Sequence, residues 1–593
     1  MEMPGLLVRL WSHISRDRRI QLGVLFCVML IASIAELFSI GMVIPFLAAL
    51  TTPEIIYANR FAQPLIAMLG LVHPEDLLLP VTGVFLSAVV LAGGVRFMLV
   101  WLQVRISLGI VNELATSSYH RTLNQPYAVH VSRNSSEIIS GVLSKVSGAI
   151  GGTVGAGLVI LSSLFILAAI LLTLVMVDPV VALSSLLSFG VVYLLISLLT
   201  SKQLARDSEQ ISHASTEVVK VLQEGLGGIR DVLLDGTQSM HSMAYRRADT
   251  NLRKAQANLQ IVSIGPKFAV EALGMIIIAV IAYALTHRPG GFVTMIPVMG
   301  VLAMAAQRLL PLLHQTYSSW VLILGNRDSL RDALDLLDQG LVEDDDSSLT
   351  PVDIRFNQAI RLDGVSFRYP PQGPLVLSNL SLSLEKGGRV GFIGATGSGK
   401  STLLDILMGL LQPTEGHLLV DEVDLSEVNR RAWQARIAHV PQAIFLADAT
   451  ITENIAFGVP PDEVDLGRVK IAAGQAQMSD LIESWSAKYD TRVGERGVKL
   501  SGGQRQRIGI ARALYKQADV IIFDEATSAL DNETEQAVMQ AIDGLGDHLT
   551  ILIVAHRLTT LKNCTQIVEL QNGELKRVGS YADIIEKAGQ LEA

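Results

Sequence analysis

The sequence is poor in charged residues and in cysteine, and it carries no basic excess. Only 17% of its 593 residues are Asp, Glu, Lys or Arg, against about a quarter in an ordinary soluble domain. With 50% hydrophobic residues and a mean hydropathy of +0.42, that shortage excludes a wholly soluble or disordered chain. Length alone would allow about four soluble domains. Lys and Arg number 47 against 56 Asp and Glu, a formal charge of −9, so nothing suggests a nucleic-acid partner. The two cysteines, Cys27 and Cys564, stand far apart in unlike surroundings. They exclude a disulfide framework and read as free thiols.

What the sequence has in abundance is long apolar runs. Residues 21–50 carry one charge (Glu36), 80–104 one (Arg96), and 149–177 and 180–200 none. Residues 261–286 hold Lys267 and Glu271, and 292–325 only Arg308. Each run is long enough to cross a hydrocarbon core that needs about 20 helical residues. Thirty apolar residues in the first run are too many for a signal peptide, so it reads as a retained helix.

The stretch 201–260 holds Lys202, Arg206, Lys220, Arg230, Arg246, Arg247, Arg253 and Lys254, whereas 51–79 holds only Arg60. The positive-inside bias then puts both termini and the loops 105–148 and 201–260 in the cytoplasm; the expected location is an inner (plasma) membrane. The sequon at Asn134 falls on that side and is discarded. Both loops are patterned like helices, so the membrane helices are expected to continue past the bilayer. The expected organisation is a cytoplasmic N-terminal elbow (1–20), a six-helix transmembrane domain (21–325), an acidic linker (326–354) and a soluble α/β domain (355–593).

The soluble part carries the chemistry. A strand ending at Ile393 runs into Gly394, Ala395, Thr396, Gly397, Ser398, Gly399, Lys400, Ser401 and Thr402, a phosphate-binding loop in its required strand–loop–helix context. Its glycines let backbone N–H groups turn toward a polyphosphate, and the helix N-terminus favours the anion. Lys400 would reach the β- and γ-phosphates, and Ser401 would ligate Mg²⁺. A second apolar strand, 520–523, ends in Asp524 and Glu525. Asp524 suits the Mg²⁺ shell, and Glu525 could orient or deprotonate the attacking water.

With these elements the sequence resembles the ATP-binding-cassette (ABC) family. The run Leu500, Ser501, Gly502, Gly503, Gln504 looks like the family's signature. Gln442 looks like the Q-loop glutamine that also meets Mg²⁺, Ser528 to Asp531 like the D-loop, His556 like the switch histidine, and Tyr369 like the aromatic that stacks on adenine. The resemblance implies ATP and Mg²⁺ as cofactors. It also implies an exporter-type half-transporter whose signature loop closes over ATP held by a second subunit, so a homodimer is the simplest assembly. The two cytoplasmic loop tips, Gln125–Val142 and Gln223–Gly236, are where family exporters place the short helices that meet the nucleotide domains.

The cargo is read from the membrane segments. Arg96, Lys267 and Arg308 lie 16 to 19 residues from the outer ends of their segments, about 24–28 Å deep at 1.5 Å per residue. Ionisable residues at such depth are functional candidates, and a belt of cations doubled in a dimer suits an anionic lipid headgroup such as a pyrophosphate. Structural alternatives are a Lys267–Glu271 pair at i,i+4, an Arg96–Glu36 pair, and snorkelling. The first segment and the external stretch Asn59–Gly70 resemble bacterial lipid-linked oligosaccharide flippases. That resemblance implies membrane lipids and an anionic lipid-linked substrate as partners, with no nucleic acid. The alternatives are a lipid or multidrug exporter, and an ATP-regulated channel or regulator.

Overall fold

The computed structural model describes residues 3–51, 53–58, 63, 66, 71, 73–177, 179–286, 291–340, 354–369, 372–426, 429–525, 532–544, 549–554 and 558–586. The chain divides into two compact units. One comprises Met1–Gln125 and Ser132–Val342, the other Pro126–Val131 and Glu343–Ala593.

The described part of the first unit is helical. Helix α1 (Met3–His13) precedes Ser15, whose hydroxyl accepts the Arg18 amide and opens α2 (Arg16–Gly41). Such an N-cap supplies a partner that the first turn otherwise lacks. Then come α3 (Val43–Thr51), α4 (Pro53–Tyr57) and α5 (Leu78–Leu123), next α6 (Tyr127–Ser132), which belongs to the second unit but for its last residue, and α7 (Ser135–Ser140). A π-helical stretch (Gly141–Ile150) leads into α8 (Gly151–Val177). After it follow α9 (Pro179–Gly227), α10 (Ile229–Leu234), α11 (Gln238–Thr286), α12 (Gly291–Gly325) and α13 (Arg327–Leu337). Helix α9 starts on Pro179, where a fixed φ and a missing N–H cost nothing.

Five helical spans among the described residues are long and apolar enough to cross a membrane: Arg16–Thr51, Pro74–Leu123, Ser135–Met176, Leu187–Gly227 and Gln238–Ile276. Helix α12 covers the sixth apolar run, with 291–306 described by backbone alone. The 46 residues of α5 and the 49 of α9 and of α11 each run about 70 Å, more than twice a hydrocarbon core of about 30 Å. The expected continuation of these helices beyond the bilayer is therefore present. Most of Asn59–Gly70 and all of 341–353 lie outside the described residues.

The two largest of the apolar cores among the described residues of this unit lie at different levels of the helices. Leu6 and Leu10 of α1 pack with Leu25 and Met29 of α2, Ile106 and Ile110 of α5, and Leu330, Leu334 and Leu337 of α13. Arg9 closes over that contact on Asp335, at 2.7 Å, and on Asp338. The second core joins Ile40, Ile166 and Ile170 to Phe189, Val270, Leu309 and Leu312.

The second unit holds two sheets. Strands β1 (Ala359–Phe367), β2 (Leu377–Glu385), β4 (Glu415–Val420) and β5 (Val423–Asp424) form an antiparallel sheet in the order β2-β1-β4-β5. Strands β3 (Arg389–Ile393), β6 (Ile437–Val440), β7 (Val520–Asp524), β8 (Thr550–Val554), β9 (Gln566–Gln571) and β10 (Glu574–Gly579) form the other, in the order β10-β9-β3-β8-β7-β6. From β9 to β6 this sheet is parallel, with Val390 opposite Leu552 and Ile522 opposite Leu552 on the other side.

A parallel sheet is covered on both faces, so its strands read as continuous apolar runs. Val520 and Ile522 enter one core beside Phe392, Leu404 and Trp433, while Ile521 and Phe523 enter the other beside Ile508 and Ala511. The carboxyl ends of β3 and β7 thereby bring the glycine loop and the Asp524–Glu525 pair to one edge of the sheet, where ligands of open α/β sheets bind.

Candidate functional site

The glycine loop leaves β3 and ends in α14 (Lys400–Leu407). Gly394 has φ +148, and a Cβ there would stand 2.3 Å from the Leu570 carbonyl oxygen. Gly399 has φ +97, and its Cβ would meet Leu377 at 2.6 Å. Both positions admit only glycine. The Lys400 ammonium is folded over the loop and donates to the carbonyls of Gly394 (2.8 Å) and Ala395 (2.9 Å). The Ser398 hydroxyl is buried without a partner among the described residues. A cation poised over a loop that ends at a helix N-terminus, beside an orphan hydroxyl, fits a bound polyphosphate.

Tyr369 rises beside this helix. Its hydroxyl lies 3.2 Å from that of Thr402, its ring packs edge-on against Phe367 with centroids 5.1 Å apart, and 44% of the residue stays exposed. An aromatic face is thus available beside the loop.

Across the sheet edge stand three carboxylates. Asp524 ends β7, and Glu525 follows with φ +50, its amide bonded to the Val554 carbonyl. The Gln442 amide donates to Glu525 Oε2 at 2.7 Å. Burial and the neighbouring Glu525 push the Asp524 carboxyl up, against the pull of Lys400. On α14, burial and Asp524 push the Asp405 carboxyl up to about 6. Carboxylates that raise one another in this way mark a site short of positive charge. Ser401 and Asp524 fit Mg²⁺, a hard cation that takes oxygen ligands and keeps substrate oxygens and water in its shell. Among the described residues no cluster of three or more His, Cys, Asp or Glu forms a metal cage.

Ser501 caps α15 (Gly502–Lys516): its hydroxyl accepts the Gln504 amide at 3.2 Å, while Gln504 Oε1 accepts the Ser501 amide at 2.9 Å. This capping box holds the amides of Gly502 and Gly503 at a free helix N-terminus. Asp531 and the rest of the 528–531 segment lie outside the described residues, as does His556.

Two site neighbours escaped the sequence reading. Asp405 is five residues after Lys400, one turn further along the same helix, and no motif marks it. Tyr127, on α6, is folded with the nucleotide unit. Burial first, then Asp405 and Tyr369, hold its phenol above the ordinary value. Of the loop tip Gln125–Val142, only Pro126–Val131 joins that unit.

In the membrane unit the three cations separate. Arg308 pairs with Glu36, which is 3% exposed. This corrects the expected Arg96–Glu36 alternative: α2 presents Glu36 to α12, not to α5. Lys267 stands 3.8 Å from Glu271. Arg96 is half-buried and has no ion-pair partner among the described residues.

Known proteins agree with this architecture. Residues 22–296 match the family described as ABC transporter transmembrane region, and 377–528 the one described as ABC transporter. The ATP-dependent lipid A-core flippase of Chromohalobacter salexigens is 32% identical over 66% of this chain and 67% of its own. That of Ralstonia nicotianae is 28% identical over 86% of each. The structure of a bacterial Atm1-family ABC exporter with ATP bound superposes with a TM-score of 0.77 over 96% of both chains, at 23% identity, and shares the fold. The chain thus belongs to the ABC transporter family and is an ATP-hydrolysing, multi-pass membrane exporter.

Proposed function

We propose that two copies of this chain form a homodimer in an inner (plasma) membrane, with the nucleotide-binding domains in the cytoplasm. Driven by ATP, the dimer flips an anionic lipid-linked oligosaccharide or polysaccharide precursor from the inner to the outer leaflet. The half-transporter layout supports a dimer, because one chain supplies one glycine loop and one signature. In each composite site Tyr369 would stack on adenine, Lys400 would hold the phosphates, and Ser401, Gln442 and Asp524 would hold Mg²⁺, which would supply positive charge to the phosphates. Ser501, Gly502, Gly503 and Gln504 of one subunit close on the γ-phosphate held by the other, with Asp531 at the junction. Glu525 orients the attacking water and His556 braces the γ-phosphate.

The observation that carries the cargo reading is Arg96, a half-buried cation in the membrane unit that no described carboxylate neutralises. Intramembrane charge of this kind marks a substrate path. Relatives named as lipid A-core flippases support a lipid cargo. With Arg308 and Lys267 each beside an acid, Arg96 carries most of the recognition of an anionic headgroup.

The test is ATPase activity of the purified protein in liposomes, with Glu525→Gln as the blank. Polyprenyl-diphosphate oligosaccharides, lipid A-like glycolipids and cationic amphiphiles are compared. Stimulation by the diphosphate lipids, lost in Arg96→Ala with basal turnover kept, is the expected result. Stimulation by cationic amphiphiles alone would replace the cargo with drugs.

A further inference from the structure

Deep in the membrane unit, α9, α11 and α12 bring five polar side chains together. Tyr193 of α9 packs on Tyr317 of α12, with ring centroids 4.9 Å apart and planes tilted by 34°. His314, one turn before Tyr317, lies within electrostatic reach of Lys267 and Glu271 of α11, and Tyr193 within reach of Glu271. Around them pack Leu204, Val262, Val321, Val270 and Leu309.

Three features of this cluster ask for a ligand. The Tyr193 hydroxyl and His314 Nδ1 are buried and meet no hydrogen-bond partner among the described residues, a state that native structures rarely leave unanswered. Pro266, inside α11, cannot donate to the Val262 carbonyl one turn back, which leaves a further acceptor. The heads of Lys267 and Glu271 remain almost half exposed, 46% and 45%. Hydrocarbon does not host an open ion pair, so this side of the cluster faces a polar path.

The chemistry selects among ligands. One ammonium and one carboxylate cancel, and the remaining groups, two phenols and an imidazole, both donate and accept. Such a site has no net attraction for phosphate and none for a cationic drug. It matches a neutral ligand that is dense in hydroxyl groups and has an apolar ring face to lay on an aromatic. We propose that Tyr193, Lys267, Glu271, His314 and Tyr317 form a carbohydrate subsite that takes the sugar portion of a glycolipid as it crosses the membrane. The assignment rests on the flippase reading for its physiological cargo, but the site's chemistry concerns the sugar alone. Lys267 then serves the saccharide with Glu271 and not a phosphate belt.

The experiment measures equilibrium retention of lipids by native mass spectrometry of the full-length protein in nanodiscs. Four probes are used: polyprenyl diphosphate with and without an oligosaccharide, and diglucosyl diacylglycerol against diacylglycerol. Wild type is expected to retain both glycosylated lipids better than their sugar-free partners. The Tyr193→Phe/Tyr317→Phe double variant, which keeps ring packing, is expected to lose that increment by about tenfold, the worth of two hydrogen bonds, with polyprenyl diphosphate retention unchanged. His314→Leu is expected to act in the same direction.

Equal retention of glycosylated and bare lipids by wild type overturns the subsite. So does a double variant that keeps the increment, or one that loses the bare diphosphate lipid equally. If diglucosyl diacylglycerol shows the increment but neither diphosphate lipid is retained, the subsite stands and the precursor-flippase reading falls.

Discussion

Glu525 and Arg308 show how differently two charged residues can be used. Glu525 follows the buried strand β7, and the Gln442 amide donates to its carboxylate at 2.7 Å. Glu525→Gln keeps this shape but removes the carboxylate proposed to act on the attacking water. Turnover is expected to fall by about 10²–10⁴-fold while ATP binding persists, read by single-turnover hydrolysis and nucleotide retention; a variant that still turns over would remove Glu525 from the chemistry. Arg308 instead neutralises a carboxylate that is 3% exposed. Arg308→Ala strands that charge and is expected to cost on the order of 3–5 kcal/mol, seen as a lower melting temperature in detergent. Replacing Glu36 and Arg308 together by methionine should recover most of it. Unchanged stability with lost lipid stimulation would return Arg308 to the substrate path.

At the scale of elements, the parallel sheet sets both catalysis and pH response. Strand β6 carries His439 just before the Q-loop, and burial pushes its imidazole below the ordinary value of 6.5, with Nε2 lacking a partner among the described residues. The folded chain therefore keeps His439 neutral while the unfolded chain takes up a proton as pH falls. Stability from this group is present above about 6.5 and is lost on acidification. Melting curves between pH 7.5 and 5.5 should fall less steeply for His439→Gln than for wild type. Parallel slopes would mean that the ring charges within the fold. The strands themselves were readable, because apolar runs of five residues punctuated by glycine fit a sheet buried on both faces. Asp405 was not, since its place beside Asp524 depends on how α14 is rotated against β7.

For the whole molecule, the assembly makes a prediction that no single chain can meet. If each ATP lies between the loop of one subunit and the signature of the other, Lys400→Ala and Ser501→Ala homodimers are both inactive. Mixed dimers hold one site with two defects and one site with none. Co-reconstitution at equal amounts should then restore up to about a quarter of wild-type ATPase activity by random pairing. A mixture as inactive as its parents would argue that each chain completes its own site.

The sequence by itself determined the transporter class. Spans are set by length and apolarity, and the glycine loop by residues a few positions apart, so both are local and need no knowledge of packing. Its long helices also followed from local pattern, because amphipathic periodicity simply continued past the apolar runs. The tertiary structure alone decided which charges meet. Glu36 faces Arg308, 272 residues away, and Tyr193 faces Tyr317, because the rotation of each helix about its axis is fixed by ridges and grooves contributed by several neighbours at once. A few tens of degrees there separate a paired cation from one left open to a substrate, and that angle is not written in any one segment.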